Sequence, residues 1–150
     1  MSFAQLGKRT LLIDANMRSP AQHRLFGVGL GAGLSSVLSN RVPIKAALTS
    51  IASLRGLTLM TAGPIPPNPQ ELLGGGMFNH VMETIPSAFD VVIIDAPALV
   101  DSADAEVIAS KTAGCLLSMR RHRTSCDDLA KVKEFLAPTG TVLVGTVLND

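Results

Sequence analysis

The sequence predicts an α/β fold, a three-layer sandwich with a mostly parallel central sheet covered by helices. Three observations carry this. Apolar runs of strand length alternate along the chain with segments of helical character. The runs are apolar on both faces, as in Val91-Val92-Ile93-Ile94, so both faces of the sheet need covering. Two of the runs end in an aspartate, Asp14 and Asp95, where such a sheet presents ligand-binding loops.

The elements follow in order. Met1 to Leu6 reads as the end of a helix stopped by Gly7. Lys8 to Asp14 is a strand, basic at its start and then Leu-Leu-Ile-Asp. Arg18 to Gly33 reads as a loop. Its glycines do not form a dinucleotide fingerprint, because the third glycine of G-x-G-x-x-G would fall on Ala32 and no strand leads in. A flexible connector is the expectation there. Leu34 to Ser39 is a short helix, and residues 43–54 form a second helical segment. Leu57 to Thr61 is the next strand. The prolines from Gly63 to Pro69 exclude regular structure. Asn68 is placed to cap a helix with Pro69 at its first position, running to the stop at Gly74-Gly75-Gly76. Phe78 to Ile85 is helical, and Phe89 to Asp95 is the third strand. Ser102 caps a helix with an acidic first turn that runs to about Lys111. Residues 113–119 are the fourth strand, 125–137 an amphipathic helix and 141–148 the fifth strand.

Composition bounds the function. At 150 residues the chain suits one domain, and residues 1–150 are read as a single one. No apolar run approaches the roughly 20 residues that span a bilayer, and the start shows no basic region followed by an apolar core. A cytoplasmic protein is expected. A net charge of +1 supplies no field toward nucleic acid or anionic lipid. Cys115 and Cys126 are too far apart for a C-x-x-C pair and read as reduced thiols, Cys115 in the core. His23, His80 and His122 have no metal-ligand spacing and are expected on the surface or in loops.

Asp14 and Asp95 are the candidates for chemistry. Two carboxylates at matching strand ends can hold a hydrated magnesium ion and the nucleotide it accompanies. Each alone could instead accept backbone hydrogen bonds from the loop that follows. Asp101 and Asp104 could add acceptors, or serve as exposed capping residues. Arg120-Arg121-His122-Arg123 could meet phosphate or an acidic partner, or be a solvated loop. Gly7-Lys8-Arg9-Thr10 is not a phosphate loop. That motif needs a glycine five residues upstream, a strand before it and a helix after it.

With these residues in view, nearly the whole chain resembles the cytoplasmic ATPase-type domain of bacterial tyrosine kinases. These are autokinases that partner chain-length regulators of capsule and exopolysaccharide export, within the P-loop NTPase-like, deviant-Walker superfamily of MinD and ParA. Gly7 to Pro20 resembles the family's motif of hydrophobic residues followed by D-x-D-x-R-x-P. Gly33-Leu34-Ser35 resembles its Gly-Leu-Ser helix start. Ala62-Gly63-Pro64-Ile65-Pro66-Pro67-Asn68-Pro69-Gln70-Glu71-Leu72-Leu73 resembles its A-G-x-x-P-P-N-P-x-E-L-L signature. Phe89 to Pro97 resembles its Walker B strand, Ser102 to Ala105 the segment that follows, and Val144 to Asn149 its G-V-V-L-N strand end.

The resemblance implies binding of ATP with Mg2+ and transfer of the γ-phosphoryl group to tyrosine on a neighbouring copy. Asp14 would be the catalytic carboxylate near the metal, and Asp95 would hold magnesium through water. Asn16 and Arg18 would face the nucleotide, and Asn149 would contact its base. A membrane chain-length regulator, the polysaccharide co-polymerase, would be the partner and would bring the cytoplasmic domain to the membrane. The longer protein would be a homo-oligomer, with no role for nucleic acid. The chain departs from the pattern in three ways. The family's Walker A strand and loop, expected ahead of Met1, are not in it. The second aspartate of D-x-D is Asn16. There is no tyrosine. Without the Walker A strand, the strand ending in Asp95 is expected to show an unpaired apolar edge. A degenerate docking or regulatory subunit of the same export machinery is the alternative.

Overall fold

The computed structural model describes residues 1–99 and 102–150. Contacts within the chain divide it into two compact units, Met1–Pro97 and Ala98–Asp150, each with its own sheet.

The first unit runs α1 (Ser2–Gln5), β1 (Thr10–Asp14), α2 (Gln22–Leu25), α3 (Leu34–Leu38), a 3-10 turn (Ile44–Ala47), β2 (Leu48–Ser50), β3 (Leu57–Met60), α4 (Pro69–Gly74), α5 (Gly76–Thr84) and β4 (Val91–Asp95). Its sheet has the order β2-β3-β1-β4. β1 pairs in parallel with β3 on one side and β4 on the other, and β2 joins antiparallel to β3. β3 and β1 are therefore the interior strands, and Leu11 and Ile13 of β1 are fully buried. Phe78 and Val81 of α5, with Leu34 of α3, are among the buried side chains that complete this core.

Two local devices fix the geometry. At the start of β1, the Arg9 main-chain N–H donates to Asp90 Oδ2 at 2.8 Å and its guanidinium to Asp90 Oδ1 at 2.7 Å. This aligns the starts of β1 and β4 and so sets which residues meet at their far ends. At the start of α3, Leu34 and Ser35 donate their N–H groups to the carbonyls of Thr61 and Ala62. Gly33 lies so close that a Cβ would overlap the main chain of Thr61 and Gly63.

The second unit runs α6 (Ala103–Ala109), β5 (Gly114–Arg120), α7 (Cys126–Leu136), a 3-10 turn (Ala137–Thr139) and β6 (Val142–Asn149). β5 and β6 pair in parallel, with a register irregularity between Cys115 and Leu116. Ala109, Val132 and Leu136 form its core, with Leu99, Cys115 and Leu117 packed against them. Ser102 Oγ accepts the N–H of Asp104 as the cap of α6. Ser125 and Asp128 form a reciprocal capping box on α7.

Several expectations are corrected. Residues 43–54 are not helical: after a 3-10 turn, Leu48–Ser50 is a strand on the sheet edge. Three residues are too few to show a period, and pairing with β3 decides them. The 18–33 segment contains the short helix α2. Asn68 occupies the cap position of α4, but its side chain caps nothing and donates instead to Glu71 Oε2 at 3.2 Å. Cys115 is half-buried rather than deep in a core. His80 and His122 are exposed, while His23 on α2 is half-buried, with Nδ1 enclosed and without a partner among the described residues. Asp104 is buried, not exposed, and Asp101 lies outside the described residues. The strands are not all covered on both faces. β4 is an edge strand with Ile93 38% exposed, and in β6 Val144 is 73% exposed. The expected open apolar edge of the Asp95 strand is thus present in this sheet.

Candidate functional site at the ends of β1 and β4

The site is created by register. β1 and β4 run in parallel, starting from Thr10 opposite Val91, and four residues later Asp14 stands opposite Asp95. Neighbouring strands in a sheet lie about 4.8 Å apart, so the two carboxylates leave the sheet side by side. The N–H of Ala15 then donates to the Asp95 carbonyl at 2.8 Å, which holds the pair together at its base.

Asp14 is fully buried. Its Oδ1 accepts the N–H of Asn16 at 3.2 Å, and its Oδ2 accepts those of Ala21 and Gln22 at 3.1 and 3.0 Å. The loop after β1 therefore wraps around this one carboxylate. Burial pushes the Asp14 carboxyl above the usual carboxylate range. The N–H groups of Gln22 and Ala21 pull it back, the neighbouring charge of Asp95 adds to the upward push, and the N–H of Asn16 opposes it. Asp95 is half-buried. Its Oδ2 accepts the side-chain amide of Gln22 at 2.6 Å, and its Oδ1 has no donor among the described residues.

Sequence reasoning missed Gln22. Its main chain binds Asp14 and its side chain binds Asp95. No motif marks a glutamine eight residues past a strand end, so nothing local could have found it.

The other predicted residues are placed as follows. Asn16 adjoins the pair through its main chain, and its side-chain oxygen is occupied by the N–H of Ser19 at 3.1 Å. Arg18 is exposed and lines a cleft of about 430 Å³ with residues Pro67 to Glu71 of the proline-rich segment. Asn149 ends β6 in the second unit, where its Nδ2 donates to Ser118 Oγ at 3.0 Å. The structure brings Asp14, Asp95 and Asn16 together; Arg18 lines its own cleft, and Asn149 belongs to the other unit.

The donor set fits a magnesium ion that keeps much of its water. Such an ion takes hard oxygen ligands and needs only one or two carboxylates from the protein. Among the described residues no group of three His, Cys, Asp or Glu side chains could hold a metal. Two carboxylates, with an Asp95 oxygen that has no donor among the described residues, suit an ion bound largely through water and not a closed protein cage.

The chain is similar to known proteins in sequence and in fold. No family model matches the chain. It is 36% identical over 147 residues to the tyrosine-protein kinase YwqD of Bacillus subtilis, covering 98% of the chain and 62% of that protein. It is 32% identical to the putative tyrosine-protein kinase CapB of Staphylococcus aureus, covering 99% and 65%. Among solved structures, the chimerical protein CapA2B2 superposes with a TM-score of 0.92 at 34% identity, covering 99% of the chain and 65% of that protein. The septum site-determining protein MinD of Pyrococcus horikoshii, complexed with Mg-ADP, superposes at 0.82 with 17% identity, covering 99% and 60%. The last shows the fold alone. The chain spans under two thirds of the length of these relatives. Over nearly its whole length the chain is therefore similar in sequence to bacterial tyrosine-protein kinases, and it shares its fold with MinD.

Proposed function

We propose that this chain is the metal-facing part of an ATP·Mg2+ site in a tyrosine autokinase for capsule or exopolysaccharide export. The observation that carries the reading is the register of Asp14 against Asp95 at the carboxyl ends of adjacent parallel strands. Bound there, ATP·Mg2+ would supply the transferable phosphoryl group and the charge that neutralises it.

Asp95, with an open oxygen, would hold the ion through water. Asp14 would face the ion and the attacking tyrosine hydroxyl. Its raised proton affinity suits a group that accepts a proton as that hydroxyl attacks. The N–H groups of Asn16, Ala21 and Gln22 keep Asp14 in one orientation, so little reorganisation is needed. Arg18 would approach the nucleotide from its cleft, and Asn149 would contact the base. A membrane chain-length regulator and further copies of the protein are the partners proposed, in the cytoplasm at the membrane face. Among the described residues no helix is long and apolar enough to cross a membrane.

No Gly-x-x-x-x-Gly-Lys-Ser/Thr loop occurs in these 150 residues, and nothing else in the sequence replaces its lysine and nest of N–H groups. The chain by itself is expected to give no ATP turnover. Joined to such a strand and loop ahead of Met1, it is expected to bind ATP·Mg2+ with micromolar-range affinity. It should then phosphorylate a tyrosine-bearing partner, with activity lost in Asp14→Ala and Asp95→Ala. Calorimetric titration and phosphotyrosine detection test this. Absence of ATP binding by the joined protein defeats the reading, and so does turnover by the bare chain that is lost in Asp14→Ala.

A docking or regulatory subunit is the second reading. Asn16 favours it, since its side chain carries no charge and its oxygen is engaged with Ser19. Phosphotransfer by the joined protein would rule it out.

A further inference from the structure

We propose that Gln22 is a removable latch on the carboxylate pair: its side-chain amide holds Asp95 Oδ2 and gives that oxygen up as a divalent cation, met first by the open Oδ1, engages the pair. The inference rests on reading the pair as a divalent-cation site.

Gln22 holds both carboxylates by different means. Its main-chain N–H on Asp14 Oδ2, at 3.0 Å, belongs to the path of the chain into α2. Its Nε2 on Asp95 Oδ2, at 2.6 Å, hangs on side-chain torsions and can be withdrawn without moving the backbone. The two bonds differ in what they release: the first keeps Asp14 oriented, the second frees Asp95 Oδ2.

A neutral amide meets only half of the demand of this pair. It supplies a donor to Asp95, but no positive charge to two opposed carboxylates. A cation supplies what the amide cannot, so exchange of one for the other is favourable once a cation is present. The latch itself is ordered rather than waving in solvent. Ala21, Gln22 and His23 are all half-buried, and the Asp14 N–H bonds pin the segment from which the side chain reaches. In the unliganded protein the amide thus protects the pair from weak or wrong cations at the cost of affinity for the right one.

The test uses the 150-residue chain and Mn2+ alone, titrated by water-proton relaxation. Gln22→Ala is expected to bind Mn2+ about tenfold more tightly than the unaltered chain, the order expected on removing one competing charge-assisted hydrogen bond. The gain is expected to vanish in Gln22→Ala combined with Asp95→Asn. In the unaltered chain, the Gln22 side-chain amide protons are expected to move toward the free-amide position in NMR spectra as Mg2+ is added. That readout decides the matter if Gln22→Ala does not fold. Equal or weaker Mn2+ binding by Gln22→Ala, or an amide signal that stays put at Mg2+ saturation, overturns the latch and leaves the cation site standing. Absence of Mn2+ binding by both chains overturns the latch together with the reading of the carboxylate pair.

Discussion

Asp14 shows how one side chain can be held in place and yet be electrostatically costly. Three N–H groups orient its carboxylate, while burial and Asp95 favour the protonated form. The native chain therefore holds this proton more tightly than the unfolded chain. Its contribution to stability is complete below the unfolded value of 3.8 and is lost as pH rises through the raised native value. Asp14→Asn removes that titration. Denaturation of the two proteins in parallel should show the asparagine variant gaining, relative to the unaltered chain, as pH rises past 3.8. A constant difference across that window would contradict the account. The aspartates were legible in the sequence because each ends an apolar run. Gln22 was not, because its importance lies in a contact spanning 73 residues.

Among the elements, β1 and β4 meet correctly because their starts are clamped. The Arg9 guanidinium and main-chain N–H hold the Asp90 carboxyl down at about 2. A depressed carboxylate stabilises above its unfolded value of 3.8, and the effect is lost as pH falls through about 2. Asp90→Asn should therefore be less stable than the unaltered chain near neutral pH, with the gap closing between pH 3.8 and about 2. The pair is exposed, so the gap should also shrink in high salt. Denaturation at several salt concentrations measures both effects. The junction of β3 and α3 is less forgiving. A Cβ at Gly33 would overlap the main chain of Thr61 and Gly63, not a side chain that could swing away. Gly33→Ala is expected to cost roughly 3–5 kcal/mol, the range of severe backbone or core disruption. A loss below about 1 kcal/mol in urea denaturation would show that the α3 start can shift freely. The glycine run before α3 was visible in the sequence, but which glycine was indispensable was not. That depends on how closely the end of β3 approaches.

At the scale of the whole chain, the two compact units put Asp14 and Asp95 in one and Asn149 in the other. The pair that carries the proposed chemistry is complete within Met1–Pro97. The bare chain and the version joined to a phosphate loop therefore form the informative comparison for activity. By itself the sequence determined the alternation of strands and helices, the strand-end aspartates, the helix stop at Gly7 and the cap at Ser102. Periodicity, capping and turn residues act over a few positions, so they can be read locally. Tertiary structure alone decided that Asp14 pairs in register with Asp95, that Gln22 closes the pair, and that Leu48–Ser50 is a strand. Each of these depends on pairing between distant segments, whose energies no short window of sequence contains.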